Sequence, residues 1–323
     1  MFTTVQDLGR TGHQRFGVPV SGVMDAWALR VANMLVGNGP GDAVIETTLV
    51  GPTIRFEQET LIAIAGADLG ASIDDVRLPL SHPIWIGAES TLTFRGGPHG
   101  CRAVIGVAGG IDVPTVLGSR STYVRAGLGG VGGRALRKED VLSIGKPSPW
   151  ARRRMAALAR KDGGPGIASW GTGPSLRPRY SSAPVVRLLP GTHTEVLASA
   201  SRSSLFGESF RLSPQSDRMG YRLEGPELAL TQRLELLSEG TTFGTMQLPP
   251  GGSPIILMAD AQTTGGYPRI GEVATVDLPL LAQLRPGDHV RFRVCTMDEA
   301  QSAYVLREQE LAQAQRALIL LHP

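Results

Sequence analysis

Short apolar runs broken by Gly, Pro, Asp and Ser set the pattern of this chain. They fall at residues 53–56, 61–65, 84–86, 91–94 and 103–107, and again at 185–189, 234–237, 255–258 and 290–294. Runs of this length at this spacing predict the short strands of a barrel or sandwich, not a doubly wound sheet. Helical periodicity is confined to four places. Asp25 is the expected N-cap of a helix over 26–36, with Trp27, Val31, Met34 and Leu35 near one face and Gly37 as the stop. Shorter helical patches are predicted at 150–161 and 194–204. Thr296 and Glu299 make a capping-box pattern that opens a final amphipathic helix to about residue 320. Its packing positions are Ala303, Leu306, Leu311, Ala314 and Leu318.

The pattern is also written twice. The segment from Ser213 to Pro226 packs Asp217, Arg218, Arg222 and Glu224 among Gly and Pro, and Ser21, Asp25 and Arg30 echo it earlier in the chain. Gly51-Pro52 answers Gly225-Pro226, and Gly109-Gly110 after an apolar run answers Gly265-Gly266. Leu136-Arg137-Lys138-Glu139-Asp140 answers Leu284-Arg285-Pro286-Gly287-Asp288. The separation between partners shrinks from 192 residues to 148 in one direction, as in a duplicated unit whose first copy carries insertions. The expected organisation is two like halves, 1–145 and 183–296, joined by a Pro/Gly-rich linker at 146–182 and followed by the helix at 297–323.

Composition changes this picture in two ways. At 323 residues there is enough chain for two cores, and no apolar run approaches the ~20 residues that a membrane helix needs. The opening residues have neither a basic nor an apolar leader region, and the two cysteines, Cys101 and Cys295, sit in strand-like surroundings. Buried free thiols and a cytoplasmic location are expected. The formal charge of +3 is uneven: residues 146–182 carry eight Lys/Arg and one Asp, a net +7 that leaves −4 elsewhere. A basic balance confined to one segment argues against a nucleic-acid-binding protein.

Most chemical motifs are missing or weak. Gly127-Leu128-Gly129-Gly130-Val131-Gly132 fits G-x-G-x-x-G, but lacks the preceding strand, the following helix and the distant acid of a dinucleotide site. A flexible loop is the expectation. The six histidines are scattered, without metal-ligand spacing. Two polar segments stand out. Gln262-Thr263-Thr264-Gly265-Gly266-Tyr267-Pro268-Arg269 follows an apolar strand ending at Asp260, and supplies the amide, hydroxyl, phenol and guanidinium groups of a polar-ligand site. A tight turn using the same side chains is the equal alternative. In Ser213–Glu224 the Asp and Arg residues either pair with each other or grip an anion bidentately.

These segments, with Gln6-Asp7-Leu8-Gly9-Arg10, Gly17-Val18-Pro19, Ser21-Gly22, Met24-Asp25, Ala108-Gly109-Gly110-Ile111, Leu117-Gly118-Ser119-Arg120-Ser121-Thr122 and Leu237-Ser238-Glu239-Gly240, resemble the allophanate hydrolase subunit 2 family. It is also called the biotin-dependent carboxyltransferase family, and it includes subunits of 5-oxoprolinase and the antagonist of a sporulation kinase inhibitor. The resemblance covers nearly the whole chain outside 146–182. It implies a mainly β fold of two cyclophilin-like barrel halves. It further implies a hetero-oligomer with a subunit 1 protein (B-type, KipI-like) and a third, A-type protein, without nucleic acid or membrane.

The activity so implied is ATP-driven opening of 5-oxoproline to glutamate, with ATP held by the complex. The alternatives are carboxyl transfer from carboxybiotin to urea or a related amide, and a regulatory binding role. No biotin-attachment sequence occurs, so biotin would arrive on another chain. Asp217, Arg218 and Tyr267 are the expected catalytic residues. Gln215, Ser216, Arg222, Gln262, Thr263, Thr264, Asp25, Asp7 and Arg10 are the expected binding residues. Asp217, Arg218, Gln262, Thr264 and Tyr267 are predicted to line one pocket, with Arg218 holding an anionic group.

Overall fold

The computed structural model describes residues 2–161, 163–173, 176–232 and 234–321. The described chain is mainly β, with five α-helices and one closed seven-stranded barrel. It divides into two compact units. The first comprises 1–10, 25–178 and 310–323; the second comprises 11–24 and 179–309.

In the first unit a six-stranded sheet has the order β1 (Phe2–Gln6), β2 (Val44–Thr48), β9 (Arg102–Val107), β4 (Thr60–Gly66), β7 (Ile84–Ile86) and β10 (Gly166–Ile167). A four-stranded sheet has the order β3 (Ile54–Arg55), β8 (Thr91–Phe94), β5 (Ala71–Ile73) and β6 (Val76–Arg77). One core, including Val5, Ile62, Ile64, Ile73, Ile84 and Leu92, fills the space between them. Strands β4 and β9 are almost wholly buried because helix α1 (Ala26–Leu35) covers their second face. A Cβ on Gly106 would meet the Ala32 backbone at 3.1 Å, so the glycine sets how closely α1 approaches the sheet. Asp25 caps α1 as predicted, accepting from Ala28 N at 2.9 Å.

The second unit closes its strands into a ring. The order is β11 (Val185–Pro190), β18 (Arg269–Val273), β15 (Thr245–Gln247), β16 (Ile255–Leu257), β13 (Gly220–Glu224), β12 (Phe210–Leu212) and β19 (His289–Val294), which returns to β11. Alternation drives it: Val290 and Phe292 of β19 point inward while His289, Arg291 and Arg293 face out. Outside the ring, β14 (Glu239–Gly240) and β17 (Thr264–Gly265) form a two-stranded ribbon.

One pair of echoed segments shares a local turn. Asp140 accepts from Arg137 N at 2.7 Å and returns its own N–H to Arg137 O at 3.2 Å. Asp288 does the same with Arg285, at 2.9 Å both ways. The residue before each aspartate has a positive φ, +72° at Glu139 and +94° at Gly287. The turn is the same, with glycine relieving the strain only in the second copy.

Several expectations change. The segment predicted as a linker, 146–182, carries helix α2 (Pro149–Leu158) and strand β10, and through Pro178 belongs to the first unit. Ser148 caps α2 and Pro149 occupies its first turn. Residues 11–24 belong to the second unit, where Met24 joins the core. No strand forms at 234–237; Leu237 is 91% exposed, since the run has no ladder partner until Glu239. The predicted helix at 194–204 is a single 3-10 turn followed by α3 (Ser199–Gly207), because Leu197 and Ala198 are extended. Helix α4 (Leu278–Ala282) was not anticipated. The last helix, α5 (Met297–Leu321), begins with half a capping box: Glu299 N donates to Thr296 Oγ1 at 3.2 Å, but the Glu299 carboxylate pairs with Arg293. Leu311 is buried as expected, whereas Leu306 is exposed. No helix among the described residues is long and apolar enough to cross a membrane.

The glycine loop is tightly held, not flexible. Its N–H groups bond to the chain's own backbone, Gly130 to Arg120 O at 2.9 Å and Gly133 to Gly129 O at 2.8 Å. A Cβ on Gly129 would lie 2.1 Å from Ser121 O. The Gly130 and Gly133 N–H groups are thus turned to the protein.

Candidate functional site

Of the two polar segments singled out in the sequence, the one at 213–224 meets Asp260, the residue that ends the apolar run before the other, at a buried ion pair. Arg218 Nε donates to Asp260 Oδ2 at 2.8 Å and Nη2 to Oδ1 at 3.1 Å, and the backbone N–H of Asp260 returns to Arg218 O at 2.8 Å. Ser21 Oγ donates to Asp260 Oδ1 at 2.5 Å, and Arg218 Nη2 also donates to Gly22 O. Ser21 adopts a left-handed backbone, φ +57°, to present its hydroxyl. All three side chains are under 10% exposed. The planar fork of Arg218, expected to grip a ligand anion, is thus engaged within the protein. Its role is to lock three motif segments of the second unit together.

From Asp260 the chain runs into Gln262–Pro268 and forms the ribbon β14/β17. Thr241 Oγ1 donates to Gln262 O at 2.7 Å, and Thr241 N to Thr263 O at 2.9 Å. These backbone bonds leave the side chains of Gln262, Thr264 and Tyr267 exposed. A Cβ on Gly265 would lie 2.4 Å from Gln247 Nε2, so the Gln247 side chain would have to shift to admit one.

Beneath the ribbon lies a second charged group. Arg269 pairs with Glu239 at 2.7 Å and donates to Thr192 Oγ1 at 2.9 Å and Gly240 O at 3.3 Å. Its backbone N–H donates to His193 Nδ1 at 3.1 Å, which puts the proton of the neutral imidazole on Nε2. Glu272, two strand positions beyond Ile270, accepts from Thr242 Oγ1 at 2.6 Å. Burial pushes its carboxyl above the usual range, only partly offset by the Thr242 and Thr245 hydroxyls and by Arg269. A half-buried carboxyl whose hold on its proton burial strengthens, an imidazole with Nδ1 accepting and a guanidinium together offer proton transfer beside an anion anchor.

The remaining expected residues serve the backbone. Asp217 Oδ1 accepts from Met219 N at 2.7 Å and Gly220 N at 3.2 Å, closing a turn. In the same turn Gln215 accepts from Ser213 Oγ, and Ser216 Oγ takes Arg222 N at 3.0 Å; the Gln215 and Arg222 side chains are exposed. In the first unit Asp7 is a buried hub, accepting from Ser119 Oγ at 2.6 Å, Ser121 Oγ at 2.5 Å and Arg120 N at 2.6 Å. Arg10, fully buried, donates to Ser121 O, and Asp25 is the buried helix cap. Asp7, Arg10 and Asp25, expected as binding residues, are all buried.

Sequence reasoning passed over Glu239, Glu272 and His193. Glu239 lies inside a quoted motif, whereas Arg269 and Glu272 stand three positions apart on one strand, a spacing that alternation puts on opposite faces, so periodicity does not pair them. Nothing local to His193 marks it, since its partner is 76 residues away.

Comparison with known proteins agrees with this architecture. The chain is 40% identical over 309 residues to the C-type subunit of 5-oxoprolinase from Escherichia coli, covering 94% of this chain and 91% of that protein. It is 36% identical to the corresponding 5-oxoprolinase subunit of Haemophilus influenzae, over 92% and 89% of the two chains. The crystal structure of the Kluyveromyces lactis urea carboxylase superposes with a TM-score of 0.86 at 29% identity, over 96% of this chain but only 28% of that one. Residues 16–294 match the model of the carboxyltransferase domain, subdomain A and B, and the chain belongs to that family.

Proposed function

We propose that the chain is the C-type subunit of a 5-oxoprolinase complex, which opens the cyclic amide of 5-oxoproline to glutamate with ATP. The observation that carries the reading is the 40% identity to the Escherichia coli protein along nearly the full length of both chains. The substrate is a small lactam bearing one carboxylate. In this reading Gln262, Thr264 and Tyr267, exposed on the ribbon, contact its polar edge, and Arg269 anchors the carboxylate. Glu272 and His193 are the groups beside it suited to moving a proton at the amide. ATP is assigned to the complex, because in the loop that most resembles a phosphate cradle the Gly130 and Gly133 N–H groups are bonded to the protein's own backbone. The active assembly therefore includes two further proteins, one B-type and one A-type.

A second reading, carboxyl transfer from carboxybiotin to urea or a related amide, is supported by the likeness to urea carboxylase at a TM-score of 0.86. One assay separates the two. The assembled complex is given ATP with 5-oxoproline, or urea with carboxybiotin, and phosphate, glutamate and carboxylated product are measured. Phosphate release that depends on 5-oxoproline supports the first reading, and transfer to urea without it overturns that reading. Turnover by this chain alone would overturn the shared assembly.

A further inference from the structure

Arg218 and Arg269 offer the same fork of N–H groups, but only the first is filled. Arg218 turns its Nε and Nη2 edge onto the two oxygens of Asp260, at 2.8 and 3.1 Å. On Arg269 that edge is half used. Nη2 lies 2.7 Å from Glu239 Oε2 without the alignment of a hydrogen bond, and Oε2 is buried with no hydrogen-bond partner among the described residues. Arg269 Nε is likewise buried and unpartnered among them. Folded proteins leave few such atoms, because each has given up water without gaining a partner.

The two partners are not held alike. Arg269 stands in β18, which is laddered to β15 through Gln247 and, two residues on, to β11 through Gly271. Its backbone N–H is taken by His193 Nδ1, and its guanidinium by Thr192 Oγ1 and Gly240 O. Glu239 stands in the two-residue strand β14, laddered among the described residues to β17 alone. Its neighbours Ser238 and Gly240 are exposed, and a Cβ on Gly240 would meet nothing within 4 Å. The partner free to move is the glutamate, outward into water.

We infer that the Nε–Nη2 edge of Arg269 is a seat for a ligand carboxylate, and that Glu239 is a displaceable stand-in that makes the site select ligands carrying one. A planar carboxylate placed as Asp260 is placed on Arg218 satisfies both N–H groups at once. A neutral amide, urea or an unsubstituted lactam, has no charge with which to displace the glutamate and gains nothing from this arginine. The inference rests on the reading that gives Arg269 the carboxylate of 5-oxoproline.

The test compares Glu239→Ala and Glu239→Gln in the assembled complex. Removing the competing carboxylate should lower KM for 5-oxoproline about 3-fold, the scale of a part-exposed ion pair, with kcat changed less than KM. Binding of pyrrolidinone, the same lactam without its carboxylate, should stay as in the wild type, and adding Arg269→Ala should erase the gain. An unchanged or raised KM in Glu239→Ala, or an equal gain for pyrrolidinone, overturns the proposal and leaves the functional reading standing. Glu239→Gln is read in its place should Glu239→Ala fail to fold. If the wild-type complex turns over no 5-oxoproline, the functional reading falls, and acetate titrated into the full chain decides the seat. Acetate binding that loss of the Glu239 carboxylate tightens and Arg269→Ala abolishes upholds it. Acetate binding that neither change alters, or none in any of these proteins, overturns it.

Discussion

Two arginines bracket the same polar segment of the second unit, and burial separates their roles. Arg218 and Asp260 have side chains 9% and 8% exposed and use the full bidentate geometry. Arg269 and Glu239 are 29% and 40% exposed and make a single ionic contact, shared with Thr192 and Gly240. A pair that has lost its water cannot exchange partners without stranding a charge, so it serves as structure. A pair whose side chains are still partly exposed can trade a carboxylate for a ligand anion at less cost, although the contacting Glu239 Oε2 is itself buried. The residue types are alike in the two places, and only the surroundings assign them.

The largest expected effect tests the buried member. Asp260→Ala leaves Arg218 uncompensated and should lower unfolding free energy by about 3–5 kcal/mol in a urea titration. A loss below about 1 kcal/mol would show that the pair is not structural. Next comes the accessible member. Arg269→Ala should change stability by less than about 1 kcal/mol, yet lower 5-oxoproline-dependent turnover of the assembled complex by roughly 100-fold. Equal loss of fold and turnover would erase the contrast.

A smaller effect concerns Glu272 and pH. Burial raises its folded carboxyl above the unfolded value, so the folded state holds the proton more tightly. That stabilisation is full below the ordinary glutamate range and is lost as pH rises through the folded pKa. Glu272→Gln should therefore flatten the fall in melting temperature across that window, and an unchanged slope would contradict it.

The smallest effect falls on the first copy of the repeated turn. Arg134 grips Asp140 at 2.7 and 2.8 Å and, with Arg137 N, holds its carboxyl well below the usual range. The sign is opposite to that of Glu272: stability present above the ordinary carboxylate range is lost as pH falls below it. Asp140→Asn should remove this acid-limb dependence in a thermal melt at successive pH values. Asp288→Asn, where the turn bonds recur, should lose only the turn.

What the sequence determined by itself is local or repetitive. Asp25 as helix cap, the strands at 61–65 and 103–107, and the twin turns at Asp140 and Asp288 follow from periodicity and from side chains that satisfy a backbone two to four residues away. Tertiary structure decided whatever depends on distant partners. Ser21 reaches Asp260 across 239 residues, and Arg218 reaches it across 42. Asp7 is held by a loop 112 to 114 residues away. A polar motif announces only that its groups need partners. Whether those partners are protein or ligand depends on which water the fold excludes, and that is set by the tertiary packing around them.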